Sequence, residues 1–316
     1  MKDLIQKLCE IPGPSGYEST IRQFIKGEVT SFADSVEVDP LGNLIVRKGT
    51  RTADGLRILI SAHMDEVGII VTHVDKKGFV RFTNIGGVYP KYLPASRVLF
   101  LNGVKGTINH DKQEDPSKVP SMDEFFIDVG ATSPADCPVK VGDLAVFDRP
   151  FVQMGSRLVS KAMDDRSSCA VLMETLHRLK ETPHELVFVF TVQEEVGVRG
   201  AITASYGADP DLGIAVDVTS TGDTPGDKTM EVGLGKGTAI KIRDQGMLCD
   251  PRVVRWMRTT AEKTGIRHQM EILRGGTTDA YAIQVNRAGV PAGVISIPCR
   301  YVHSPSEMVD INDLEN

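Results

Sequence analysis

The chain has 316 residues, 41% of them hydrophobic and 25% charged, which is ordinary for a globular protein able to bury a large core. Its net charge of −6 argues against general nucleic-acid binding, which needs a basic surface to neutralise phosphate. It has no apolar run of about eighteen residues to span a membrane, and its scattered cysteines (Cys9, Cys137, Cys169, Cys249, Cys299) suit a reducing cytoplasm without a disulfide framework.

The length predicts two domains. The N-terminus is interrupted by charges and reads as an amphipathic helix with Leu4, Ile5 and Leu8 on one face, not as a signal peptide. Pro12-Gly13-Pro14-Ser15-Gly16 must break it. A second helix follows, with Ile21, Phe24 and Ile25 spaced for one face. Asp39 to Asn43 is a turn, Leu44 to Val46 a short strand and Leu56 to Ser61 a stronger one. From Gly68 to Pro150 the texture changes: short β-rich runs alternate with turns, and only a weak helical pattern appears near Met122 to Phe126.

An α/β rhythm then returns. Asp165 to Glu181 reads as a helix with Cys169, Leu172, Met173, Leu176 and Leu179 on one face. Glu185 to Val192 is a nearly continuous apolar strand, the pattern of a sheet centre covered on both sides. Leu212 to Val216 is another strand. Asp250-Pro251 opens a helix that ends near Gly265 and carries Val253, Trp256 and Met257 inward. Val290 to Ile297 is the last core strand, and Asp310 to Asn316 reads as the start of a helix. The expected fold is α/β: a mixed central sheet flanked by helices (residues 1–67 plus 151–316), interrupted by a small all-β domain (68–150).

Five segments place acids or histidines at strand ends or helix starts, where open α/β folds build their sites. His63 and Asp65 follow the Leu56–Ser61 strand, and a carboxylate there can fix the ring nitrogen that a ligating histidine leaves free; as a pair they also fit a plain loop. Asp164 and Asp165 stand at the mouth of a helix, either as cap and dipole-favoured acid or as ligands. Glu194 and Glu195 end the most apolar strand, where buried carboxylates are costly unless something positive meets them. Asp217 ends a strand and is uninformative alone. His303 lies six residues past Ile297 in a loop. The remaining histidines (His73, His110, His177, His184, His268) lack such settings and read as surface or core residues.

Taken in order, these positions resemble the co-catalytic metallopeptidases, and more narrowly the tetrahedral (TET) and glutamyl aminopeptidase family, some of whose members carry endoglucanase labels. The matching pieces are Ser61-Ala62-His63-Met64-Asp65-Glu66-Val67-Gly68, Lys161-Ala162-Met163-Asp164-Asp165-Arg166, Gln193-Glu194-Glu195-Val196-Gly197-Val198-Arg199-Gly200-Ala201, Gly275-Gly276-Thr277-Thr278-Asp279-Ala280 and Arg300-Tyr301-Val302-His303-Ser304. Ile11 to Glu18 also fits, and the resemblance extends over the whole chain. The one departure is a missing terminal helix, which bears on packing of the chain end more than on the site.

The resemblance implies a zinc-aminopeptidase-like fold and a dinuclear centre: His63 with Asp217 on one metal, Glu195 with His303 on the other, Asp164 bridging, Glu194 as general base, and Asp65 behind His63. Imidazole and carboxylate ligands without thiolate suit zinc, cobalt or manganese. The implied reaction is attack of a metal-activated water on the first peptide bond of a peptide with a free N-terminus. The resemblance also implies that the β insertion makes dimer contacts and helps build a homododecamer.

Competing readings are weaker. A glycoside hydrolase needs two carboxylates and usually no metal; it leaves the two histidines unexplained, and one tryptophan offers little sugar stacking. An inactive binding or assembly protein does not need the full ligand set with Glu194. Gly233-Leu234-Gly235-Lys236-Gly237 lacks the spacing and the Ser/Thr of a phosphate loop and reads as a turn.

Overall fold

The apolar run Glu185–Thr191 forms the middle of the main sheet, parallel to Arg57–His63 and antiparallel to Leu44–Lys48. Its side chains alternate between two cores. Phe188 and Phe190 join the core beneath the N-terminal helices, while Val187 and Val189 face a second core on the opposite side. This two-sided burial explains why the strand has no polar face. The computed structural model describes residues 1–115, 117–227 and 229–316.

The spatial order of the main path is Ser35–Val38, Leu44–Lys48, Glu185–Thr191, Arg57–His63, Leu212–Thr219, Ala292–Arg300, Glu307–Asp310, Arg157–Ser160 and Val152–Met154; Thr238–Arg243 and His268–Ile272 branch off Ala292–Arg300. The centre is parallel and the flanks antiparallel. Helices Lys2–Glu10 and Ser19–Val29 and the long helix within Met163–Arg178 cover one face through Ile5, Leu8, Ile21, Ile25, Leu172 and Leu176. Helices Arg199–Ala208 and Asp279–Gln284 cover the other.

Gly68–Val74, Val80–Ile85, Phe125–Asp128, Lys105–His110, Arg97–Phe100 and Leu144–Phe147 close into a six-stranded antiparallel barrel. Val71, Phe82, Phe100, Phe125 and Ile127 fill it. The weak helical pattern near Met122 is a single 3₁₀ turn, Met122–Glu124, leading straight into a strand.

Several expectations change. Helix Pro251–Thr264 buries Val253, Met257 and Ala261, an i, i+4, i+8 stripe; Trp256 lies beside that stripe and is 49% exposed, not inward. The last core strand continues through Pro298 to Arg300, so His303 stands three residues beyond its end. Asp164 and Asp165 are not helical, and no side chain caps the helix start there. The short helix Ile311–Glu315 is capped by Asp310, whose carboxylate accepts from Asn312 N–H at 2.8 Å. No helix among the described residues is long and apolar enough to cross a membrane.

Candidate metal centre

Parallel register gathers the strand-end residues. Thr191 sits opposite His63, and Ala215 opposite Ser61, so Asp217, two residues on, reaches the level of His63. The Gln193–Gly197 turn then brings Glu194 and Glu195 back over the strand ends. His303 and Asp164 arrive from loops on the far side. All of them line one open cleft of about 840 Å³ between the sheet and the barrel.

The two imidazoles are oriented alike. His63 Nδ1 lies 3.1 Å from the Asp65 main-chain oxygen, and His303 Nδ1 lies 3.1 Å from the Gly87 main-chain oxygen. A ring nitrogen that donates to a carbonyl leaves Nε2 with a free lone pair. Both Nε2 atoms point at one carboxylate: Asp164 Oδ1 is 3.0 Å from His63, and Asp164 Oδ2 is 3.3 Å from His303. Asp217 Oδ1 completes the His63 side at 3.8 Å, and Glu195 Oε2 the His303 side at 3.2 Å.

These separations, 3.0–3.8 Å, bracket the spacing a cation imposes. Two ligand atoms held about 2.0–2.2 Å from one tetrahedral ion stand about 3.3–3.6 Å apart. The groups His63, Asp164, Glu195 and His63, Asp165, Asp217 each bring their ligand atoms within 4.8 Å of one another. Glu195 Oε1 is buried without a hydrogen-bond partner among the described residues, as a metal-facing oxygen would be, whereas Asp165 lies behind His63 and accepts from its main-chain N–H at 3.3 Å.

The electrostatics point the same way. Burial, reinforced by neighbouring carboxylates and only partly opposed by His63, pushes Glu194, Asp165 and Asp217 well above the usual carboxylate range. Burial works against a charged His63, but Asp164 and Asp65 outweigh it and raise that ring well above an ordinary imidazole. His303 is likewise raised, to about 12, because Glu195 and Asp164 overcome its burial. Acids crowded this way need added positive charge.

A supporting layer holds the cluster. Asp65 is fully buried and accepts from Ser15 Oγ–H at 2.6 Å, Glu194 N–H at 3.0 Å and Glu195 N–H at 3.2 Å. Arg166 donates to Met64 O at 2.7 Å, Leu8 O at 2.5 Å and Ile11 O at 2.9 Å, stitching the N-terminal helix to the His63 segment. Glu66 joins this block through Lys161 at 2.7 Å.

Sequence reasoning missed Glu307. It is buried at the start of the Glu307–Asp310 strand and accepts from His303 N–H at 2.6 Å and Asp164 N–H at 3.0 Å, tying two candidate ligands to one another. It also missed Lys241, buried in the cleft wall 3.1 Å from Glu271 and 3.5 Å from Asp244. Asp279, quoted above without a role, accepts from Thr191 Oγ–H at 2.7 Å, and burial lifts its pKa to about 6. Gly233–Gly237 is a turn whose Gly235 and Gly237 N–H groups donate to Asp313.

Comparison with known proteins gives mainly aminopeptidases, although one solved neighbour, from Thermotoga maritima and 34% identical with a TM-score of 0.82, is described as an endoglucanase. Residues 42–316 match the family described as M42 glutamyl aminopeptidase. The lysyl aminopeptidase of Pyrococcus furiosus is 35% identical over 332 aligned positions, covering 99% of this chain and 93% of its own. The solved aminopeptidase APDkam598 of Desulfurococcus kamchatkensis superposes with a TM-score of 0.95 at 40% identity, covering 99% of this chain and 91% of its own. The TET1 peptidase of Pyrococcus horikoshii, described as assembling into a tetrahedron or a large octahedral shell, superposes with a TM-score of 0.87 at 34% identity, covering 99% and 96%.

Proposed function

The chain belongs to the M42 glutamyl aminopeptidase family, a family of peptide hydrolases, and from that premise we propose that it trims single residues from the free N-terminus of peptides at a centre of two divalent cations. His63 and Asp217 would hold one cation and Glu195 and His303 the other, with Asp164 placed between the two imidazoles to serve both. The observation that carries this reading is the placement of the two Asp164 oxygens, 3.0 and 3.3 Å from two separate imidazole Nε2 atoms. Zinc and cobalt suit the donors best, with manganese also compatible.

When bound, such cations supply Lewis acidity, lowering the pKa of water toward neutrality and polarising a peptide carbonyl. The chain's own residues do the rest. Glu194 stands in the cleft and has a raised proton affinity, caused first by burial and then by Asp217 and Glu195. It takes the proton of the attacking water and returns it to the leaving amine nitrogen, which general catalysis rewards when the carboxylate pKa approaches neutrality. Asp65 fixes the main chain of Glu194 and Glu195, so base and ligand keep their spacing. The acidic surroundings also suit the substrate's ammonium, which favours exopeptidase over internal cleavage.

The barrel, residues 68–150 with its connections, serves in this reading as a dimer contact, and the chain assembles as a homo-oligomer built from dimers. A solved relative described as a dodecamer, and one described as assembling into a tetrahedron or a large octahedral shell, support a twelve-subunit tetrahedral form. A stable monomer by light scattering refutes the assembly part alone.

Metal-stripped protein, reloaded with zinc or cobalt, is tested on a short peptide beside its N-acetylated twin. The expected result is release of the first residue from the free peptide only, and only with metal. Glu194→Gln should keep both cations and lose about 10²–10⁴-fold in kcat. Near-normal kcat in that variant removes Glu194 as the base.

A further inference from the structure

Among the described residues, the barrel reaches the cleft through one loop. The loop after its Val80–Ile85 strand runs Gly86-Gly87-Val88-Tyr89 across the cleft and meets the two side chains assigned to one cation. A Cβ added at Gly86 would lie 3.0 Å from Glu195 Cβ and 3.3 Å from Glu195 Oε2. One added at Gly87 would lie 2.5 Å from His303 Nδ1 and 2.7 Å from Cε1; the three nearest atoms all belong to that ring. The Gly87 carbonyl receives the His303 Nδ1 contact at 3.1 Å, and the Tyr89 ring stacks on the imidazole at 5.9 Å and 28°. His63, by contrast, takes its orienting carbonyl from Asp65, at the end of its own strand.

We propose that Gly87 is a positioning residue for one of the two cations: its missing side chain and its carbonyl set the position and tautomer of His303, so the inserted barrel governs the Glu195–His303 position while the main sheet alone governs the His63–Asp217 position. The inference rests on the ligand assignment above. Its physical basis is ordinary. A ligating imidazole needs its far nitrogen fixed, and loss of such a partner costs about 10–100-fold in metal affinity. Gly87 does not sit in the left-handed backbone region, so alanine is acceptable to its main chain and is opposed by the ring itself.

The experiment is equilibrium dialysis of stripped protein against zinc, with metal counted per chain by mass spectrometry. Wild type should bind two ions. His303→Ala should bind one, and Gly87→Ala should bind one at wild-type affinity and a second about 10–100-fold more weakly. In the His303→Ala background the ring is gone, so adding Gly87→Ala should change neither the remaining affinity nor Tm. If Gly87→Ala alone fails to fold while the double variant folds, the ring clash is demonstrated and the inference stands. Failure of both overturns it, because the glycine is then needed by the main chain. Two wild-type affinities in Gly87→Ala overturn it while leaving His303 a ligand. Two wild-type affinities in His303→Ala overturn the ligand assignment itself.

Discussion

Replacing Asp65 by Asn changes one atom in volume terms but reverses the hydrogen-bond logic of a buried hub. The carboxylate accepts three bonds, one on Oδ1 from Glu194 N–H and two on Oδ2 from Ser15 Oγ–H and Glu195 N–H. An amide has one oxygen. With the oxygen at the Oδ1 place, the NH2 group faces Glu195 N–H; turned around, it faces Glu194 N–H. Either way one main-chain donor is left opposite another donor in a site with no solvent access. An orphaned buried donor costs about 1–3 kcal/mol, and the main-chain bond that remains weakens by about 1 kcal/mol on losing its charge, so Asp65→Asn should destabilise by roughly 2–4 kcal/mol. At about 2–4 °C per kcal/mol for a unit of this size, Tm should fall by roughly 5–15 °C. Ser15→Ala removes one charge-assisted bond and should cost about 1–2 kcal/mol. Asp65→Asn also frees the Glu194–Glu195 turn, and misplacing the proposed base by about 1 Å can cost 10²-fold in rate. Thermal melts and steady-state kinetics on metal-loaded protein check both. An Asp65→Asn variant with wild-type Tm and kcat would show that this carboxylate holds neither the turn nor the proposed base, Glu194.

Further outcomes follow from other parts of the molecule. Zinc or cobalt added to stripped protein should raise Tm in proportion to the logarithm of free metal above Kd, since binding favours only the folded form; a metal-independent Tm would argue against the centre. Arg166→Met strands the carbonyls of Leu8, Ile11 and Met64 and should loosen residues 1–16, read as a new site of limited proteolysis near the N-terminus; an unchanged digestion pattern would refute this stitching role. Asp250→Ala removes an N-cap that accepts from Arg252 N–H at 2.8 Å and should cost about 1 kcal/mol. Arg252 and its N–H hold the Asp250 pKa down to about 2. The cap's contribution is therefore complete above the unfolded carboxylate value near pH 4 and is lost as pH falls toward 2. Melts of wild type and variant should converge across that interval, and a constant gap would contradict the assignment.

Periodicity exposed the long elements because their buried faces are made of large side chains. It missed helix Arg199–Ala208, whose pattern is inverted: Ile202 and Tyr206 are exposed, while Gly200, Ala201, Ala204, Ser205 and Ala208 make the packed face. Close approach to the neighbouring helix selects small residues there, and no hydrophobic stripe results. Thr238–Arg243, His268–Ile272 and Glu307–Asp310 were missed because they are short and carry Lys241, Glu271 and Glu307 inward, where a pattern reader expects apolar groups. The residues around the cleft were legible as acids and histidines at strand ends. Glu307 was not, since it bonds main-chain donors, which any neighbouring residue supplies. Gly86 and Gly87 were equally silent, because their contribution is an absence of side chain in a place only the folded molecule defines.

The stitching by Arg166 has a consequence in time. Its carbonyl partners lie 158, 155 and 102 residues upstream, and the Gly87–His303 contact spans 216. A ribosome that has released the barrel has released His63, Asp65 and Gly87, but not Asp164, Glu194, Glu195, Asp217 or His303. The segment after the N-terminal helix can meet Asp65 and Glu66 early, but the helix itself lacks its Arg166 tether until residue 166 emerges, and one side of the cluster lacks its imidazole until residue 303 does. On the ligand set proposed above, a chain that has not yet reached residue 303 therefore lacks the imidazole on the Glu195 side, and the cluster is completed only in a late step of synthesis.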